Sequence, residues 1–120
     1  MLHAAERDVL TLRHMSSGVP DESFGFHVQQ PAEKALKALL ALRGRKYPLT
    51  HNLYDLFELL DKDGVATRFY RPLSSFTPYA VEFRYEGVGP GQETIDRPAA
   101  LTLVEALVRD VRDRLGTSES

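Results

Sequence analysis

The residues in this chain best suited to chemistry are Arg45 and His51, with five residues between them. An imidazole with an unperturbed pKa of about 6.5 takes or gives a proton near neutral pH. A guanidinium is a permanent cation whose planar fork matches the oxygens of a phosphate. Thr50 is a good N-cap, so the sequence places His51 at the start of a helix. The free N–H groups and positive end of a helix N-terminus also attract an anion. A cation, a titratable base and a helix start together suit a phosphate ester. The same residues also arise wherever a helix begins beside a solvated arginine.

The charge around this pair is locally one-sided. Lys34, Lys37, Arg43, Arg45 and Lys46 are basic, and no acidic residue lies between Lys34 and Tyr54. The whole chain of 120 residues is not basic: 15 Lys and Arg against 17 Asp and Glu give a net charge of −2. That balance excludes a generally basic nucleic-acid coat but leaves the local window standing. Two aromatics sit inside it. Tyr47 and Tyr54 either stack on a base or pack the loop against a second copy. His27, Gln30 and Lys34 recur at helical spacing (i, i+3, i+7). They either line a nucleotide pocket or satisfy hydrogen bonds between helices.

Positioning these side chains falls to helices. Residues 4–15 place Ala5, Val9, Leu12 and Met15 on one face, and Ser16 to Pro20 breaks the pattern. Residues 24–43 put Ala32, Ala35, Leu36, Leu39 and Leu40 on an apolar face, with Glu33, Lys34, Lys37 and Arg43 opposite. Pro31 lacks a donor and restricts Gln30. A helix that starts near Glu22 and bends at Pro31 still buries Phe26 and Val28, and is the reading adopted. Gly44 ends it, and Arg45 to Leu49 is a short basic loop. The next helix, residues 51–60, carries a stripe of Leu53, Leu56, Phe57 and Leu60 up to the stop at Asp61 to Gly64. Residues 65–86 are two-sided. Phe76, Tyr79, Ala80 and Phe83 have helical spacing, whereas Tyr79 to Tyr85 alternates like a strand. With no second strand to pair with, a helix is expected. Gly87 to Gly91 reads as a loop. From Arg97 a final helix buries Ala100, Leu103, Val104, Leu107, Val111 and Leu115, and Gly116 ends it before a frayed tail at 117–120. The expectation is one all-α domain over residues 1–120, an antiparallel four-helix bundle with an additional short helix.

Other function classes find no support. Hydrophobic residues make up 42% and charged residues 27%, an ordinary globular balance. The chain has no cysteine, which excludes disulfide and thiolate chemistry and fits a cytoplasmic location. Glu6, Arg7 and Asp8 interrupt any signal-peptide run, and the apolar run Ala38 to Leu42 is too short to span a membrane. In Asp61 to Gly64 the glycine comes too early for a calcium loop, and the segment reads as a helix end. Gly87 to Gly91 lacks the third glycine of a dinucleotide loop. His3, His14, His27 and His51 show no metal-ligand spacing, so neither metal nor cofactor is expected.

Two stretches carry a family resemblance. Phe26-His27-Val28-Gln29-Gln30-Pro31-Ala32-Glu33-Lys34-Ala35-Leu36-Lys37-Ala38-Leu39-Leu40, followed by Thr50-His51-Asn52-Leu53, resembles the HEPN domain family (higher eukaryotes and prokaryotes nucleotide-binding). Phe83-Arg84-Tyr85 is similar to a later family segment, and the likeness spans roughly residues 5–115. The resemblance implies an all-α bundle that forms a homodimer. Active members are metal-independent ribonucleases with an Arg-x(4–6)-His motif, which Arg45 and His51 satisfy. It implies His51 as the proton-transfer group and Arg45 as the charge stabiliser, with RNA or a nucleotide in the dimer cleft. Lys34, Lys37, Lys46, Tyr47, Tyr54, His27 and Gln30 would then contact the nucleic acid. Many members pair with a minimal nucleotidyltransferase as toxin and antitoxin. Other members have no assigned ribonuclease activity, which leaves a non-catalytic nucleotide- or partner-binding dimer as the alternative. The chain also differs from the pattern. Lys46 stands where active members carry Asn, Asp or His, and Leu53 stands where some carry a modified tyrosine, with Tyr54 next to it. Pro31 stands where a small helix former is usual.

Overall fold

The computed structural model of the chain describes residues 1–15, 17–80 and 95–119. Its elements are α1 (Leu2–Arg13), α2 (Asp21–Leu42), α3 (Leu53–Lys62), a 3-10 strap (Arg68–Tyr79) and α4 (Arg97–Glu119). Every element among the described residues is helical, as the periodicity predicts.

Ion pairs between elements fix their directions. Arg13 pairs with Glu105 and Glu6 with Arg112, so α1 and α4 run antiparallel. Arg97 at the start of α4 meets Asp21 at the start of α2, so those two run parallel. Arg43, just past α2, meets Asp63, just past α3, while Glu33 meets His51 before α3; α2 and α3 are therefore antiparallel. The result is an up-down-up-down bundle in which α2 touches α1, α3, α4 and the strap.

The apolar stripes close the core as read. Leu53, Leu56, Phe57 and Leu60 of α3 are fully buried, and so are Val28, Ala32, Ala35 and Leu36 of α2. Val104, Leu107 and Val111 of α4 complete it, with Ala5, Val9 and Leu12 of α1. Truncating a fully buried leucine such as Leu36 to alanine costs about 2–5 kcal/mol in such a core. Pro31 does not start the helix: α2 runs through it from Asp21 to Leu42, and Val28 is buried with Phe26 half-buried.

Three expectations need correction. Thr50 is not the N-cap of α3. Asn52 is, its side-chain oxygen accepting from the Tyr54 N–H at 2.9 Å, while Thr50 Oγ1 accepts from the Asn52 N–H. His51 therefore lies one residue before the cap. Gly116 does not end α4, which continues to Glu119. Residues 68–79 are helical, but as a 3-10 strap rather than an α-helix; Pro72 and Pro78 each remove a donor from the α-helical ladder. The strap buries Leu73, Phe76 and Tyr79. It lies flat on α2 because Gly25 has no side chain: a Cβ there would fall 2.4 Å from the Tyr79 ring. The strand-like pattern continuing to Tyr85, Arg84 itself and the Gly87–Gly91 loop lie outside the described residues.

Candidate functional site

The site is built from a polar row on α2. Gln29, Glu33 and Lys37 recur at i, i+4 and i+8 and face the loop that enters α3. Glu33 is the hub and is only 8% exposed. Its Oε1 accepts from Gln29 Nε2 at 2.8 Å and lies 2.9 Å from His51 Nδ1, while its Oε2 accepts from Lys37 Nζ at 2.9 Å. Gln29, fully buried, also donates to the His51 backbone carbonyl at 3.1 Å. His51 is thus held twice, by its backbone and by its ring. Burial of Leu53 and the hydrogen bond from its N–H to Thr77 Oγ1 at 3.1 Å anchor the residues just after it.

The electrostatics set the state of the ring. Burial pushes the Glu33 carboxyl up. Hydrogen bonds from Gln29, Lys37 and His51, with the Lys37 charge, outweigh it and hold the group below the usual carboxylate range. An ionised carboxylate only accepts hydrogen bonds, so Nδ1 of His51 carries its proton toward Glu33. In the neutral ring Nε2 is then the lone-pair nitrogen. The His51 side chain is 63% exposed. An imidazole oriented by a buried carboxylate, with its basic nitrogen open to solvent, is equipped to take a proton from an incoming hydroxyl.

The sequence missed Glu33 and Gln29. The helical wheel placed Glu33 on the solvated face, whereas it is buried and holds three donors. The signal was present: a row of Gln, Glu and Lys at spacing four beside an apolar face, flanked by the row His27, Gln30 and Lys34. Of that second row, only Gln30 joins the site, donating to Gln29 Oε1 at 2.7 Å. His27 Nδ1 lies 2.8 Å from the Ser23 carbonyl, and its ring stands edge-on to Phe26. Lys34 donates to Asp8 of α1 at 2.7 Å and ties two helices together.

Tyr47 lies under the Lys37 ammonium, 5.6 Å from nitrogen to ring centroid, and so borders the hub. Tyr54, half exposed, lies under Arg71 at 5.4 Å. Arg71 is in turn held by Glu58 and Asp61. Lys46 is exposed on the loop.

Arg45 lies elsewhere. Its Nε donates to Asp63 Oδ1 at 2.8 Å, and Arg43 grips the same carboxylate and donates to the Asp63 carbonyl at 2.8 Å. Arg45 and Arg43 hold the Asp63 carboxyl below its usual range. Both helices end here in the same way. Gly44 and Gly64 take positive φ (74° and 86°). Arg45 N–H bonds back to the Leu40 carbonyl and Val65 N–H to the Leu60 carbonyl, both at 2.9 Å. Two negative helix ends and Asp63 converge, and the arginines offset them. The clasp opens onto a cleft also lined by Leu39, Leu42, Asp113 and Arg114. A ten-residue helix spans about 15 Å, and α3 separates the two clusters end to end. Within one protomer, therefore, Arg45 and His51 are not brought together.

The positive window is also offset in three dimensions. Lys34 pairs with Asp8, Lys37 with Glu33, and Arg43 and Arg45 with Asp63. Glu33 immediately precedes the window in the sequence, and the other acids arrive from α1 and the end of α3. Among the described residues no three His, Cys, Asp or Glu side chains form a group able to hold a metal ion, and no helix is long and apolar enough to cross a membrane.

No curated protein and no solved structure matches the chain. A family model described as "HEPN domain" matches residues 1–114, nearly the whole length. With that match and an all-helical bundle built on the same residues, the chain belongs to the HEPN domain family.

Proposed function

We propose that this chain is a metal-independent endoribonuclease that works as a homodimer, with His51 as its proton-transfer group. One observation carries the reading. A buried carboxylate holds Nδ1 of an exposed imidazole at 2.9 Å, which leaves Nε2 to act. In the proposed reaction Nε2 takes the proton of an RNA 2′-hydroxyl, and the 2′-oxygen attacks the adjacent phosphorus. The bond from phosphorus to the 5′-oxygen breaks, leaving a 2′,3′-cyclic phosphate, and the protonated ring gives its proton to the departing oxygen. Glu33 stabilises the ring while it is charged. Arg45 stabilises the charge developing on the phosphoryl oxygens. Because α3 separates it from His51 in one protomer, Arg45 serves the His51 of the second copy across the dimer cleft. Lys46, Tyr47, Tyr54 and Gln30, which lie around this end of the molecule or on its loop, contact the RNA.

The toxin–antitoxin setting, with a minimal nucleotidyltransferase as antitoxin, is part of the proposal and rests on the family. A nucleotidyltransferase gene next to this one supports it, and a neighbourhood without one counts against it. A second reading is favoured by a specific observation: Arg45 is engaged by Asp63. In that reading the same fold is a non-catalytic nucleotide- or partner-binding dimer. Metal-free RNA cleavage by the wild type, His51→Ala and Arg45→Ala separates the two. The endoribonuclease reading expects strong loss in both variants with the dimer intact. Cleavage that survives His51→Ala overturns it.

A further inference from the structure

Lys37 occupies an unusual position for a lysine. Its ammonium shares the Glu33 carboxylate with His51, nitrogen to oxygen 2.9 Å on each side. Its side chain is only 12% exposed. An ammonium has three donors. Glu33 takes one, and the face of Tyr47 lies over the ammonium at 5.6 Å. A nearly buried cation with a donor to spare is costly unless an acceptor reaches it. The charge at the hub points the same way. Glu33 and Lys37 cancel, so protonating His51 leaves the cluster with a net positive charge beside an exposed ring. Arg45, the cation chosen by sequence spacing, is at the far end of α3 and gripped by Asp63.

We propose that Lys37 is a phosphate-binding residue of the His51 site, acting in the same protomer and holding the phosphoryl group against the imidazole. This deepens the endoribonuclease reading and rests on it for its biological meaning, but the binding itself requires no cleavage. The phosphoryl oxygens take the spare donor of Lys37 and face Nε2 of His51. Tyr47 covers the opposite side of the ammonium and keeps it directed at the ligand. Arg45 approaches the same group from the second copy.

The test is a titration of the full chain with inorganic phosphate and with uridine 3′-monophosphate, read by NMR at the His51 ring and run alongside a cleavage assay. Wild type is expected to show saturable His51 shifts with both probes. Lys37→Gln is expected to weaken both at least tenfold, and Lys37→Arg to return binding to within about threefold of wild type. Lys62→Gln removes the same charge from the end of α3 and is expected to change binding less than twofold. Circular dichroism and thermal unfolding establish that each variant is folded. The proposal is overturned if wild type shows no saturable shift, or if folded Lys37→Gln binds as wild type does. It is also overturned if Lys37→Arg fails to rescue, or if Lys62→Gln weakens binding as much. Lys37-dependent binding without RNA cleavage leaves this proposal standing and removes the endoribonuclease reading. His51-dependent cleavage with Lys37-independent binding does the reverse.

Discussion

The two ends of α3 each hold a nearly buried carboxylate facing basic side chains, and they use it differently. At the C-terminal end Asp63 meets two arginines, whose forks satisfy its oxygens while they offset two converging helix ends. The charges there are matched and the cluster ties α2 to α3. At the N-terminal end Glu33 meets a glutamine, a lysine and a histidine. One of its partners is an imidazole that lies mostly in solvent. A carboxylate answered by permanent cations locks a structure; one answered by an imidazole orients a reagent. Permanent charge and proximity in sequence made Arg45 the obvious candidate, but the cation already beside His51 is Lys37.

The largest effect that sharpens this contrast comes from exchanging the residues themselves. His51→Ala is expected to lower RNA cleavage by about 10²–10⁴-fold, the usual worth of a proton-transfer group. Arg43→Gln, which removes the other arginine on Asp63, is expected to leave cleavage within a few-fold while lowering the thermal midpoint. Equal losses of activity in the two variants would erase the distinction between the ends. Next comes Glu33 itself. Glu33→Gln keeps the shape but leaves Lys37 facing a neutral amide, and is expected to cost about 2 kcal/mol in urea unfolding.

Acid sensitivity follows with a definite sign. Hydrogen bonds from Gln29, Lys37 and His51 outweigh burial and hold the Glu33 carboxyl below the usual carboxylate range in the folded chain, so its contribution is fully present above that range. It is lost as pH falls from there through the lower folded value. Unfolding free energies measured between about pH 3 and 7 are expected to fall on the acid side in wild type and to fall less steeply in Glu33→Gln. A slope unchanged by the substitution would show that Glu33 is not held as described.

The smallest effects separate the ends most cleanly. Asn52→Ala removes the N-cap of α3, and Gly64→Ala forces a side chain into a positive-φ turn. Each is expected to cost about 1 kcal/mol. Only Asn52→Ala, which loosens the residue next to His51, is expected to lower cleavage as well. Matching activity losses from both would mean that α3 responds as a whole rather than at one end.

The bundle was legible because its helices are regular and two of them, α2 and α3, end at glycines. The buried stripes of α2 and α3 are the ones their spacing marks out, down to Leu53, Leu56, Phe57 and Leu60, and so is that of α4 except that Leu103 and Leu115 are only partly buried. What was lost concerns which face meets which neighbour. Glu33 looks solvated on a helical wheel, and only the arrival of the α3 entry loop buries it. The positive window looked like a field for a polyanion because its compensating acids, Asp8 and Asp63, lie far away in sequence. The N-cap was misplaced by two residues because Thr50 and Asn52 are both good caps, and the tertiary hydrogen bond at Leu53 favours the later start. The strap kept its apolar spacing, but two prolines changed its helical type.

The rate of metal-free RNA cleavage at one pH, compared between wild type and folded Glu33→Gln, tests the central claim most directly. The rate should fall in Glu33→Gln, because the His51 ring has lost the carboxylate that holds its Nδ1. A folded Glu33→Gln that cleaves RNA as fast as wild type would contradict the assignment of the Glu33–His51 pair as the working part of this protein.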